Sequence, residues 1–144
     1  KGVKRRFEYI IKSESLVYID DYAHHPVEIE SLLKSVRALY PKKRITAVFQ
    51  PHLFSRTRDF APEFSESLSL ADEVILLDIY PAREQPIEGI TSEMLLEKVT
   101  AEKKIVCAKE ALLEQIKAWQ PEVLLTIGAG DIDKFVEPIK AELS

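Results

Sequence analysis

Four short stretches of this 144-residue chain hold all three of its histidines and the residue types best suited to binding an anion or a nucleotide. The first is Asp20-Asp21-Tyr22-Ala23-His24-His25-Pro26. Carboxylates there can accept hydrogen bonds from ribose hydroxyls, the Tyr22 ring can lie against a purine, and His24 or His25 can donate to phosphate oxygens. A helix starting at Pro26 would add a positive partial charge nearby. The plain alternative is that an aspartate and His25 only cap that helix. Adjacent histidines rarely converge on one ion, so a metal site from His24 and His25 is not expected.

The second stretch is Gln50-Pro51-His52-Leu53-Phe54-Ser55-Arg56-Thr57, followed by Arg58. A guanidinium can hold a carboxylate through two parallel hydrogen bonds, so Arg56 or Arg58 suits the carboxylate of a free amino acid. His52 could position an attacking amine or accept its proton, because imidazole titrates near neutral pH. The structural alternative is a solvated loop in which Arg58 pairs with Asp59 or Glu63. The third stretch runs from Tyr80 to Pro86 and includes Arg83 and Glu84; its two prolines suggest a stiffened edge loop. The fourth, Gly128-Ala129-Gly130-Asp131, is a short glycine pattern that fits either ligand contact or a tight reversal with Asp131 as helix N-cap. Cys107, in an apolar run, reads as an inert core residue, and Trp119 as packing.

The elements that must position these stretches alternate. Strands are expected at 7–12 and 16–20, joined by a turn at 13–15, and then at 44–50, 73–79, 104–108 and 123–127. Helices are expected at 26–40, 58–71, 91–99, 110–119 and 132–143, with Pro26 suited to the first helical position, Thr91 or Ser92 as an N-cap, and Pro138 as a source of kinking. The fold class is therefore α/β. The expected form is a Rossmann-like three-layer sandwich on a six-stranded, mostly parallel sheet, with one antiparallel edge strand from the N-terminal hairpin. Connections from helix to strand are plain turns, whereas the four stretches above all leave strands. In a parallel sheet they share one edge, the carboxyl ends of the strands, where open α/β sheets bind ligands.

Composition narrows the classes. The chain is 46% apolar and 31% charged, which is globular. Its formal charge of −4 argues against a nucleic-acid partner held by bulk charge. No apolar run approaches the ~20 residues that cross a bilayer, and no signal peptide opens the chain. One cysteine forms no internal disulfide, so a cytoplasmic location is the default.

The first stretch with Val27-Glu28-Ile29, the second stretch, Ile79-Tyr80-Pro81-Ala82-Arg83-Glu84-Gln85-Pro86-Ile87 and Gly128-Ala129-Gly130-Asp131-Ile132 closely resemble, in order, four signatures of UDP-N-acetylmuramate–L-alanine ligases. The opening Val3-Lys4-Arg5-Arg6-Phe7-Glu8 resembles the junction between that family's central and C-terminal domains. The resemblance implies a single C-terminal domain over 1–144, with 1–6 a remnant of the interdomain linker. It implies part of an ATP-dependent ligase of peptidoglycan synthesis that activates the muramyl carboxylate as an acyl phosphate, which the amine of L-alanine then attacks. ATP and Mg2+ would be held mainly by a central domain and UDP-N-acetylmuramate by an N-terminal one. By motif position, Asp21 and Tyr22 would face ribose and adenine, His24 the reacting phosphate, and His52 and Arg56 the incoming L-alanine. Two positions depart from the family pattern: Leu53, where many members carry arginine, and Arg83, where many carry glycine. No Gly-x-x-Gly-Lys-(Ser/Thr) phosphate loop occurs in the chain, so the isolated domain is expected to be inactive and to hold no cofactor tightly. The competing readings are a free-standing amino-acid or nucleotide binding module and, less favoured, a metal-dependent hydrolase using the three histidines.

Overall fold

The computed structural model describes residues 6–144, so all of the expected linker except Arg6 lies outside the described residues. The sheet has six strands, β1 (Glu8–Lys12), β2 (Val17–Asp21), β3 (Ile45–Phe49), β4 (Glu73–Leu76), β5 (Lys103–Val106) and β6 (Val123–Ile127), in the order β1-β2-β6-β3-β4-β5. β1 pairs antiparallel with β2 through a turn in which the Ser13 amide donates to the Leu16 carbonyl at 3.0 Å. Every other pairing is parallel. The expected fold class is what the structure shows.

The physical reason lies in the strand sequences. β2, β3, β4 and β6 are buried at every position, as a sheet covered on both faces requires. Alternate residues feed two separate cores. Ile19, Ala47, Phe49, Leu76 and Leu125 pack under α1 (Pro26–Leu39), α3 (Ala61–Leu68) and α4 (Ser92–Glu97). Tyr18, Val48, Ile75 and Leu124 pack under α5 (Leu112–Trp119) and α6 (Val136–Leu143). Polar side chains inside the sheet bond to one another. Thr126 Oγ1 donates to Asp20 Oδ1 at 2.7 Å and takes the Tyr18 phenol at 3.0 Å.

Three expectations are corrected. The helix expected at 58–71 is two helices, α2 (Phe54–Asp59) and α3, separated at Phe60. α2 starts inside the stretch read as a loop, and Pro62 then forbids continuation, because its ring would meet the Arg58 carbonyl and it has no amide to donate. Pro138 produces no kink: a 3-10 segment (Asp131–Phe135) precedes α6, which places Pro138 in the first turn, where a missing amide costs nothing. Asp131 is not an N-cap either. It opens the 3-10 segment after Gly130 and spends its carboxylate elsewhere. Thr91 does cap α4, accepting from the Met94 amide at 3.0 Å.

Phe64 is 1% exposed, and its ring lies 5.5 Å from that of Phe49. Phe64→Ala should therefore lower unfolding free energy by about 3–5 kcal/mol in urea denaturation; a loss below about 1 kcal/mol would show that this layer is not close-packed.

Candidate functional site

β2 and β3 both send their chains to the α1–α3 face, whereas β6 between them sends its chain to the α6 face. The loops therefore part over β6 at the carboxyl edge, the position at which open α/β sheets form a ligand crevice. All four stretches meet there. At the end of β2 the two aspartates diverge, as neighbours on a strand must. Asp20 turns to Thr126 in the sheet. Asp21 Oδ1 accepts the Ala23 amide at 2.8 Å, and Oδ2 accepts the Phe7 amide at 2.8 Å. Burial pushes the Asp21 carboxyl above its ordinary pKa, with those two amides opposing.

The turn into α1 is held by Glu28, whose Oε1 accepts the amides of His24 at 2.9 Å and His25 at 3.1 Å. Burial alone would raise the pKa of Glu28, but the two amide bonds and the flanking histidines hold it below the ordinary value. The helix-capping alternative for this stretch thus describes part of what is seen. His25 is the N-cap residue, and its ring packs against Phe60 at 5.9 Å. His24 differs: its Nδ1 lies 3.1 Å from the Tyr22 carbonyl, and its ring centroid lies 5.1 Å from that of Tyr22 and 6.4 Å from that of His52.

The second stretch is more ordered than a loop. Leu53 enters α2 with φ 75° and ψ 133°, a conformation costly for any side chain, on the order of 1–3 kcal/mol. It is held there because its amide donates to the Tyr80 carbonyl at 2.8 Å and its carbonyl accepts from Thr57 Oγ1 at 2.9 Å. One helical turn then brings Arg56 back over His52, with Nη1 3.3 Å from His52 Nδ1. Arginine only donates, so His52 Nδ1 is the acceptor and the neutral ring carries its proton on Nε2. Burial lowers the His52 pKa, and the nearby Arg56 and His24 add to the shift against an opposing pull from Glu84. Arg58 is exposed and pairs with Asp59 at 2.9 Å, as its structural alternative required. Of the two arginines, Arg56 is the one facing the site.

The structure brings to this edge further residues to which the sequence reading assigned no ligand role. Tyr80 stacks on the His52 ring, centroids 5.7 Å apart and planes within 13°. Glu84 accepts the Ser55 amide at 3.1 Å on Oε1 and the Ser55 hydroxyl on Oε2. Gln50, 2% exposed, donates Nε2 to Asp131 Oδ1 at 2.6 Å and accepts the Ile132 amide at 3.0 Å. Lys109 reaches Asp131 Oδ2 at 2.8 Å, and these partners hold the Asp131 carboxyl below its ordinary pKa although burial would raise it. Gly130 has to be glycine, because a Cβ there would lie 2.4 Å from Gln50 Oε1 and 2.8 Å from the Tyr80 ring. The one signal that could have found Gln50 is an amide placed directly after five buried strand residues, where it must find partners. Arg83 is exposed. Cys107 is buried, donates to the Ala108 carbonyl, and has its thiol pushed up by burial, which suits an inert core residue.

Among the described residues, no three His, Cys, Asp or Glu side chains are placed to hold a metal ion. A separate groove between α3 and α4 is lined by Pro62, Ser65, Glu66, Met94 and Glu97 and contains no residue of the four stretches. No helix among the described residues is long and apolar enough to cross a membrane.

The domain model described as Mur ligase, glutamate ligase domain, matches residues 5–130. This chain belongs to the Mur ligase family. The resemblance of the four motifs to the C-terminal domain of that family is borne out. The Mur domain is 60% identical over 139 residues to the UDP-N-acetylmuramate–L-alanine ligase of Cytophaga hutchinsonii, covering 96% of this chain and 30% of that protein. It is likewise 60% identical over 143 residues to the enzyme of the same name from Flavobacterium johnsoniae, covering 99% of this chain and 32% of that protein. The solved UDP-N-acetylmuramate–alanine ligase of Thermotoga maritima superposes with a TM-score of 0.75 at 26% identity, over 96% of this chain and 29% of that one. The chain thus spans about a third of the length of the relatives it matches.

The His52 environment gives a direct check. Its titration, followed by ring-proton NMR, should have a midpoint below the ordinary ~6.5, and Arg56→Ala should move it upward. Because the folded-state pKa is depressed, the contribution of His52 to stability is full above the unfolded pKa and declines as pH falls through it toward the folded value. A midpoint at or above the ordinary value would overturn the assigned burial and Arg56 contact.

Proposed function

We propose that this chain is the C-terminal domain of a cytoplasmic, ATP-dependent ligase that joins L-alanine to UDP-N-acetylmuramate in peptidoglycan synthesis. The observation that carries the reading is the pairing of Arg56 with His52 at 3.3 Å, at the carboxyl edge where the nucleotide-type motif of residues 20–26 also lies. The names of the relatives at 60% identity support the choice of amino acid and acceptor.

In the chemistry proposed, an oxygen of the muramyl carboxylate attacks the γ-phosphorus of ATP and ADP departs. The L-alanine amine then attacks the acyl carbon, phosphate departs, and the amine loses a proton. Arg56 has donors beyond the one directed at His52, and they suit the alanine carboxylate. His52 is neutral near physiological pH, since burial depresses its pKa. While Nδ1 accepts from Arg56, the ring donates from Nε2 and positions the substrate. It can take a proton at Nδ1 only after Arg56 turns to the carboxylate.

Tyr22, 39% exposed, offers a ring face for adenine. Each Asp21 oxygen has one backbone donor and keeps a lone pair for a ribose hydroxyl. The Tyr22 carbonyl accepts from His24 Nδ1, so a phosphate oxygen would be bound at Nε2 by the imidazolium, in which both ring nitrogens donate. These residues fit a nucleotide edge. They do not fit Mg2+, which accords with the metal and the phosphates being held by a central domain, and the UDP-sugar by an N-terminal one. Residues 1–6 would belong to the linker toward those domains, and the domain alone would be inactive, since its sequence carries no phosphate loop.

The test is phosphate release dependent on ATP, UDP-N-acetylmuramate and L-alanine, for the full-length protein and for this domain. Activity only in the full-length form is expected. Activity in neither would favour a binding module, and activity in the domain would refute its dependence on a missing phosphate loop. In the full-length protein, Arg56→Ala should raise KM for L-alanine by about tenfold or more, the scale of a lost charge-assisted hydrogen bond, with far less effect on KM for ATP. Equal effects on both would remove Arg56 from this role.

A further inference from the structure

The chemistry proposed above leaves Glu84 without a task, yet both of its carboxylate oxygens are engaged. Oε1 accepts the Ser55 amide at 3.1 Å and Oε2 the Ser55 hydroxyl. Ser55 lies in the first turn of α2, next to Arg56 and three residues beyond His52. α2 has six residues and no side-chain cap of its own, and it is entered through the strained backbone of Leu53. A helix this short does not hold its own orientation, so something outside it must.

The loop after β4 does this at three points. The Tyr80 carbonyl takes the Leu53 amide at 2.8 Å, the Tyr80 ring stacks on His52, and Glu84 takes Ser55. Glu84 is the point that binds within α2 itself. Its hydrogen bonds to Ser55, ahead of the pull of Arg58, hold the Glu84 carboxyl below its ordinary pKa, so it stays charged. Engagement by Ser55 also keeps this carboxylate away from Arg56, where it would compete with a substrate carboxylate for the same guanidinium.

We propose that Glu84 is a positioning residue for the amino-acid subsite: by holding Ser55 it sets the first turn of α2 so that Arg56 stays over His52 and open to the alanine carboxylate. This rests on the function proposed above. Glu84 touches no substrate in this scheme and acts through Ser55.

The experiment uses the full-length ligase and compares wild type, Glu84→Ala, Glu84→Gln, Ser55→Ala and the Glu84→Ala/Ser55→Ala pair in initial rates against L-alanine and against ATP. Glu84→Ala should raise KM for L-alanine about tenfold while KM for ATP stays within about twofold, the split expected for one displaced subsite. Glu84→Gln, which keeps an oxygen acceptor for Ser55, should recover most of that loss. The double variant should be no worse than Glu84→Ala, because residues acting as one unit are non-additive. Should Glu84→Ala fail to fold, Ser55→Ala carries the same KM split at smaller size. An unmoved KM for L-alanine, equal rises in both KM values, or multiplicative losses in the double variant would overturn the proposal. Wild-type phosphate release that does not depend on L-alanine would overturn the underlying reading and this inference with it, whereas alanine-dependent wild type with unmoved variants overturns this inference alone.

Discussion

The amide of Gln50 is buried at the end of the central strand β3, and the carboxyl edge is arranged around satisfying it. A buried amide left without partners costs about 1–3 kcal/mol for each group, so both ends of this side chain are bonded: Nε2 to Asp131 and Oε1 to the Ile132 amide. Those bonds pull the loop after β6 against β3. The approach is close enough that Gly130 has no room for a Cβ between Gln50 and Tyr80. Tyr80 is thereby set beside His52, and the His52 ring stacks on it. One buried polar group thus links three of the four stretches at this edge.

Electrostatics at the edge follows from how each charge is paired. Glu28, Glu84 and Asp131 are all held below the ordinary carboxyl range by hydrogen bonds, each tying down a loop end. Asp21 moves the other way because its burial outweighs its two amide bonds. With Glu28, Glu84 and Asp131 engaged in this way, the edge presents His24, His52 and Arg56 together, a set that suits anionic groups. At the opposite edge, Glu73 is buried with Thr46 at 2.7 Å, Arg44 at 3.1 Å and Lys103 at 3.6 Å, a cluster that anchors the amino ends of the strands.

Much of this was legible in the residues themselves. The largely apolar runs of β3, β4 and β6, the helical spacing of Ile29, Leu32, Leu33 and Val36, and Pro26 at the first helical position state a parallel sheet covered on both faces. The concentration of histidines and arginines in segments that leave strands locates the ligand edge without any coordinates. The start of α2 inside the second stretch was not legible, because Phe54-Ser55-Arg56-Thr57 carries no helix-start signal and follows a residue at positive φ. Nor were the roles of Gln50 and Glu84, whose partners lie 81 and 29 residues away.

The sequence by itself determined what is periodic and local: which segments pair or coil, which face of each is apolar, and which residue types gather at one edge. Tertiary structure decided which of those residues touch. It separated Asp20 from Asp21, assigned Arg58 to Asp59 and Arg56 to His52, and chose Glu84 rather than Arg83 to hold α2. The physical reason is range. Propensity and periodicity act over a few residues, whereas a hydrogen bond between loops depends on the packing of strands that are distant in the chain and meet only once the sheet has formed.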